Sequence, residues 1–293
     1  MKMNTEYKGI KIPEITRFEN IDFVDYDFTK SDLTEVVFKN VNFYNCVFNK
    51  TICAATRFWC CFFENCTFIR VDLSDTYIGA WGGGQNNCTF TKCKFGGITD
   101  ASYITNTIFD NCKIKTCRMD CLYMENVRFI GRIDDLMIVK LRKEEITQHQ
   151  TLERALQVIK HINEHIKMKN IFDSPKVVMR NIDFSLATMQ FLNFRECEFH
   201  NVVSPKDDKH LYIDANLCHI TTLVLKEIDN YWYDDNNKSW AIQCVEDVQK
   251  NAPIAIVCWY DFKHFENEEF ANRLMELFRK AKRELDDNTQ HTV

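Results

Sequence analysis

The sequence has little glycine and little proline, 8 and 4 residues in 293, although it does not read as helical throughout. It also has no excess of positive charge: 37 Lys and Arg stand against 42 Asp and Glu, a net charge of −5. Without a basic field there is no sequence-independent attraction for phosphates, so direct nucleic-acid binding is not expected, nor is attachment to an anionic membrane surface. Long hydrophobic runs are missing too. The longest covers residues 252–260, too short to span a bilayer, and the opening stretch MKMNTEYKGIKIPEITRFENID has no apolar signal core. A soluble, cytoplasmic protein is the expectation.

Catalytic signatures are equally scarce. No GxSxG, HExxH or Walker loop occurs, and no CxxC pair that would suggest a zinc or iron–sulfur site. Neither an enzymatic activity nor a cofactor is expected.

What the sequence does have is phenylalanine, 23 residues, and cysteine, 14. The phenylalanines recur with a period of five. From residue 18 the register reads Phe18, Phe23, Phe28, Leu33, Phe38, Phe43, Phe48, Cys53, Phe58, Phe63, Phe68, Leu73 and Ile78. It resumes at Phe90 and Phe95, shifts to Ile104, Phe109, Ile114, Met119, Met124 and Phe129, and returns at Met179, Phe184, Met189, Phe194 and Phe199. A step of five fits neither regular element: successive side chains rotate by about 140° on a helix and alternate faces on a strand. If instead the backbone turns a corner every five residues, each of these side chains points to one axis. Coils stacked at roughly 4.8 Å then pair their backbone groups as in a parallel sheet.

The position two before each ladder residue should also face inward, near a corner where only a slender side chain fits. It reads Thr16, Ile21, Tyr26, Ser31, Val36, Val41, Cys46, Thr51, Thr56, Cys61, Cys66, Val71 and Thr76, and later Cys88, Cys93, Cys112, Cys117 and Cys197. Only Tyr26 is oversized. Most of the cysteines are thereby accounted for as small buried hydrophobes, reduced rather than disulfide-bonded or metal-bound.

Stretches such as IDFVD, YDFTK, SDLTE, VNFYN and VDLSD, at residues 21–25, 26–30, 31–35, 41–45 and 71–75, resemble the pentapeptide-repeat family. The resemblance covers residues 16–130 and 177–201. It implies a mainly β fold, a right-handed quadrilateral parallel β-helix with four pentapeptides per coil. Residues twenty apart then stack, giving the columns Phe18, Phe38, Phe58; Phe23, Phe43, Phe63; Phe28, Phe48, Phe68; and Leu33, Cys53, Leu73.

The ladder is interrupted twice. Gly82 to Gly84 in IGAWGGGQNN read as a loop or bulge leaving the coil; no GK[ST] follows, so a phosphate-binding loop is not supported. From 131 to about 177 the apolar spacing Ile146, Leu152, Leu156, Ile159, Ile162, Ile166 predicts an inserted amphipathic helix. Its His161 and His165 lie four apart, but no third ligand is identifiable, and solvated imidazoles are the plainer reading.

The expected organisation is a solenoid over 1–201, with that insertion, and a C-terminal α-helical or α/β unit over 202–293. In the latter we expect helices at 239–250 and 267–284 and a strand at 254–260. The unit either caps the solenoid or forms a dimer interface.

A solenoid offers chiefly a long, rigid binding surface, so the expected function is a non-catalytic protein-interaction or scaffold module with a protein partner. Candidate contact residues are the acidic group Asp22, Asp25, Asp27, Asp32 and Glu35, the outward-pointing Trp59 and Phe62, which form either a partner site or a covered docking surface, and the aromatic cluster Tyr231, Trp232 and Tyr233, which anchors a partner or glues tail to solenoid. The family resemblance implies an alternative, since some members mimic DNA with an acidic rod and bind gyrase. A third reading is a small enzyme or ligand site between solenoid and tail, with His161, His165 or His264 as candidate actors.

Overall fold

The computed structural model describes residues 2–168, 171–194, 196–232, 235–251, 254–265 and 267–290, without the side chains of 235, 236, 264, 265 and 288–290. The chain divides into two compact units, Met1–Thr188 with Glu196–Val203, and Met189–Arg195 with Ser204–Val293.

The first unit is a parallel β-solenoid. Short strands one coil apart pair in register, Phe18 on Phe38, Phe38 on Phe58, Phe23 on Phe43 and Phe43 on Phe63. Their rings stack nearly parallel. The longest column, Phe28, Phe48, Phe68, Phe90, Phe109, Phe129, Phe184, has centroid spacings of 4.5 to 5.1 Å. Each such ring contributes roughly 1.5–3 kcal/mol by leaving water, before the entropy of ordering it is counted.

The small inward position does more than fit. Thr51, Thr56 and Thr76 each donate a hydroxyl proton to a carbonyl of the preceding coil, those of Phe28, Leu33 and Cys53, at 2.7–2.8 Å. The thiols of Cys46, Cys61, Cys66 and Cys88 do the same to Phe23, Phe38, Phe43 and Phe63 at 3.3–3.5 Å. For Phe28, Leu33 and Cys53 this is a second bond to a carbonyl that also accepts a turn amide, from Ser31, Val36 and Thr56. All fourteen cysteines are free thiols, and only Cys218 is exposed.

Most corner residues adopt left-handed backbone, for example Asp25, Asn45 and Asn65 with φ of 59°, 55° and 55°. Asparagine is the side-chain-bearing residue that best tolerates this region.

The two interruptions differ from expectation. The glycines at 82–84 do not leave the coil: Gly84–Asn86 is a strand paired with Phe62, Phe63 and Glu64 on one side and Tyr103, Ile104 and Thr105 on the other. Buried Gln85 stands in the ladder where phenylalanine would, 22 residues after Phe63. The strand Ile108–Lys140 also runs past Gly131, where the ladder slips by one residue, and keeps Ile133 and Ile138 buried. The insertion therefore begins about ten residues later than the fivefold count suggests. It holds helix α1 (Lys143–Thr147) and helix α2 (Leu152–Ile166), with Thr151 capping α2 by accepting from the Arg154 amide at 3.3 Å.

Helix α2 buries Ala155, Val158, Ile162 and Ile166, whereas Leu152 and Leu156 of the expected stripe stay exposed. At the far end of the insertion, buried Lys140 donates to the carbonyls of Ile171 and Lys176, at 2.9 and 3.4 Å. That closes the excursion.

The second unit pairs His210–Ile213 antiparallel with Ala255–Cys258 and packs them with helices α3 (Leu217–Tyr231), α4 (Asp235–Gln249), α5 (Trp259–Phe265) and α6 (Glu268–Gln290). The strand expected at 254–260 stops at Cys258, where α5 begins. Asn267 caps α6, accepting from the Phe270 amide at 2.9 Å.

Candidate interaction surface

The acidic group occupies the first coils, and most of it is engaged locally. Asp22 and Asp25 accept from the amides of Asn42 and Asn45, at 2.7 and 2.9 Å. Asp27 is buried and pairs with Lys8 at 2.7 Å. Burial works against its ionisation, but the bonds from Lys8 and Thr29 outweigh that and hold the carboxyl below its usual range. Asp32 accepts from both the amide and the hydroxyl of Thr34, which likewise lowers it. Glu35 is an exposed left-handed corner residue. Asp27 and Asp32 thus hold turns, and Asp22 and Asp25 join adjacent coils.

Phe62 is not available to a partner, a correction to its reading as an outward contact. It is 7% exposed, its ring 4.3 Å from that of His161 and 6.0 Å from that of Tyr103, beneath α2. Trp59 stacks on Trp81 at 4.6 Å, and Trp81 on His149 at 4.3 Å, so it too leads into the insertion.

Both helical histidines bond to the solenoid, His165 half-buried and His161 still exposed, so the solvated reading fails for His165 alone. Nε2 of His161 is 3.1 Å from the Tyr103 hydroxyl, and Nε2 of His165 is 3.0 Å from the Thr105 hydroxyl. The His165 ring lies flat on Tyr103 at 3.9 Å. Burial lowers the pKa of both, and for His165 the neighbouring His161 adds to the effect.

The glycines make this docking possible. A Cβ on Gly84 would sit 2.6 Å from the Tyr103 ring, and one on Gly82 3.0 Å from Val158 of α2. Sequence reasoning missed this because the glycine cluster and the insertion are distant in the chain.

In the second unit, Trp232 is also buried, against Phe270, with the Arg273 guanidinium 4.1 Å above its ring. Tyr231 is exposed, and Tyr233 lies outside the described residues. His264 lies in α5, but its side chain is likewise outside them. Cys258, His210 and Asp207 come together, yet not as a nucleophilic triad. The Cys258 thiol and Nε2 of His210 both donate to the Met189 carbonyl, while Nδ1 of His210 meets Asp207 at 2.8 Å. Burial pushes the Cys258 thiol up, away from thiolate. Among the described residues no cluster of His, Cys, Asp and Glu is arranged to hold a metal ion.

On the outside of the solenoid the corners form columns of their own. One is an amide ladder in which Asn45 donates to Asp25, Asn65 to Asn45 and Asn87 to Asn65, at 2.6–3.1 Å. The next corner carries Lys30, Lys50, Arg70 and Lys92, all exposed. The order of residues in these columns is what a repeat motif encodes, and residues 16–51 match the family model for pentapeptide repeats, in eight copies. The chain carries pentapeptide repeats.

No curated protein matches this pentapeptide-repeat chain. Among solved structures, a trypsin-treated variant of QnrB1, a plasmid-mediated fluoroquinolone resistance protein, is 10% identical with a TM-score of 0.31, covering 70% of this chain and 92% of that one. Full-length QnrB1 is 16% identical with a TM-score of 0.25, covering 70% and 93%. HetL, a pentapeptide-repeat protein involved in heterocyst differentiation regulation in the cyanobacterium Nostoc sp. strain PCC 7120, is 10% identical with a TM-score of 0.25, covering 67% and 86%. Likeness at this level says nothing about what the pentapeptide-repeat chain binds. No helix of the described residues is long and apolar enough to cross a membrane.

Proposed function

We propose that this chain is a non-catalytic protein-interaction module that presents the outer faces of its solenoid to a protein partner. One observation supports the reading: its chemically versatile side chains hold the fold, while its outer columns repeat coil after coil. Burial raises the thiols of Cys53 and Cys121 to about 12 and that of Cys60 to about 11, far from nucleophilic thiolates. His161 and His165 are bonded to solenoid hydroxyls. A rigid, repetitive exterior recognises by shape and charge.

The test is affinity purification of the full chain from its native cells, compared with variants carrying charge reversals on one outer face at a time. A partner lost from one face variant whose thermal midpoint is unchanged supports the reading. No protein enriched over a control matrix overturns it, and a mass measurement identifies a second copy of the chain as the partner.

The gyrase-directed, DNA-mimic alternative has less in its favour, because the first-coil carboxylates are engaged in turns and between coils and a cationic column occupies the adjacent corner. Gyrase supercoiling is expected to be unchanged by the purified protein at low salt. Inhibition there would restore the alternative.

A further inference from the structure

The corner column Lys30, Lys50, Arg70, Lys92 stands out from its neighbours. All four residues have left-handed backbone, with φ of 61°, 55°, 54° and 56°. The adjacent corner meets the same requirement with Asp25, Asn45, Asn65, Asn87, Asn106, Asn126, Asn181 and Asn201. A long side chain in this region costs about 1 kcal/mol or more, and asparagine less. Neighbouring cations one coil apart, roughly 4.8 Å in backbone spacing, also repel one another. Among the described residues no carboxylate forms an ion pair with any of the four. Left-handed backbone and like charge thus recur through four successive coils, with no ion pair to these cations among the described residues.

Beside the column lies a depression of about 370 Å³ that includes Lys50 and Arg70 on its rim and Ile52 and Ala54 in its lining. Ile52 is 52% exposed; it pairs with Asp32 and Asp72 of the adjoining coils and shares the depression with Lys50 and Arg70. Asp72, which also lines it, is neutralised by Lys94 at 2.7 Å, and Asp75 is exposed. Further along the same side, Lys113 and Lys115 are exposed.

We propose that this column is the docking track for an extended acidic polypeptide segment of a partner protein, with an apolar side chain of that segment seated over Ile52. Three coil steps of about 4.8 Å span roughly 14 Å, the length of four or five extended residues. Carboxylates along such a segment relieve the repulsion within the column. A nucleic acid fits less well. The track offers no aromatic platform for bases, and the net charge of −5 opposes a long polyanion. This inference rests on the reading of the chain as a protein-interaction module and names the chemistry of its partner.

The test uses the full chain and fluorescence anisotropy with three probes: a Glu-rich peptide carrying a central leucine, its Gln-substituted analogue, and a single-stranded oligonucleotide of matching charge. The acidic peptide is expected to bind best, and more weakly as salt is raised. In the double variant Lys50→Asn with Arg70→Asn its affinity should fall by about tenfold or more, while the thermal midpoint holds or rises because asparagine suits the corner. Equal binding of the acidic and neutral peptides, unchanged binding by the double variant, or preference for the oligonucleotide overturns the proposal. A partner purified from cells that is retained by the double variant sinks the track but leaves the interaction-module reading standing.

Discussion

Asn126 and Asn181 lie 55 residues apart in the chain and one coil apart in the fold: the Asn181 side-chain amide donates to the Asn126 carbonyl oxygen at 3.0 Å. Between them the chain leaves the solenoid, forms α1 and α2, and returns. The ladder continues with Asn201 donating to Asn181 at 2.8 Å, and Phe129 stacks on Phe184 at 5.0 Å in the same coil step. The solenoid thus closes over its insertion as though the insertion were absent.

This junction should be sensitive to side chain but tolerant of glycine. Asn181→Ala removes both of its ladder hydrogen bonds, to Asn126 and from Asn201, and leaves a residue with a Cβ in left-handed backbone, at an expected cost of about 1–2 kcal/mol. Asn181→Gly should cost less because it removes the strain. Denaturant midpoints check the order, and a larger loss for the glycine variant would show that the corner is not set by backbone geometry.

The aromatic column should be the least forgiving element. Phe48, fully buried between Phe28 and Phe68 with ring spacings of 4.9 and 4.5 Å, is expected to cost about 3–5 kcal/mol when truncated to Ala. Equilibrium unfolding measures this, and a loss under about 1 kcal/mol would mean that the column collapses to fill the gap.

Gly84→Val should loosen α2 without unfolding the solenoid. The added side chain meets the Tyr103 ring, which bonds His161 and supports His165. Amide exchange in 152–166 is expected to quicken, with the strands of residues 37–69 unaffected. Unchanged exchange in α2 would show that Tyr103 is not what holds it.

Asp100 and the two histidines of α2 give opposite pH dependences. Burial first, then the charges of Asp120 and Glu145, raise Asp100 to about 7. Its folded form therefore binds a proton that the unfolded chain has released, and stability falls as pH rises from about 4 towards 7. Asp100→Asn should flatten that slope and raise the unfolding free energy at pH 8 by about 1–3 kcal/mol. His161 and His165, lowered by burial, act in the other sense: stability is lost as pH falls below their unfolded value near 6.5. The α2 amides should exchange faster at pH 5 than at pH 7, and a His165→Gln variant should show a smaller difference.

With thirteen thiols buried and Cys218 exposed, a native-state thiol titration should label one cysteine quickly and the rest only on unfolding. Fast labelling of a second site would place another thiol outside the core.

Much of this was legible in the residues. Phe18 to Ile78 keep an unbroken five-residue step because every coil there has the same length, so the chain carries its own register. The small inward position was legible for the same reason. Legibility fails where coil length changes. Gln85 in a phenylalanine site and Ile133 four residues after Phe129 break the count, although backbone pairing continues through both.

The repeat, its columns and the use of its cysteines follow from residue order alone, because they depend on contacts at one fixed separation along the chain. Tertiary structure decided what lies on the outside. Whether Phe62 is a contact or a core residue depends on α2, nearly a hundred residues away, packing over it. Whether Lys30, Lys50, Arg70 and Lys92 are scattered charges or one column depends on stacked coils bringing them to a single corner. A local pattern specifies which side chains point inward, but the neighbours of an outward side chain are set by the whole fold.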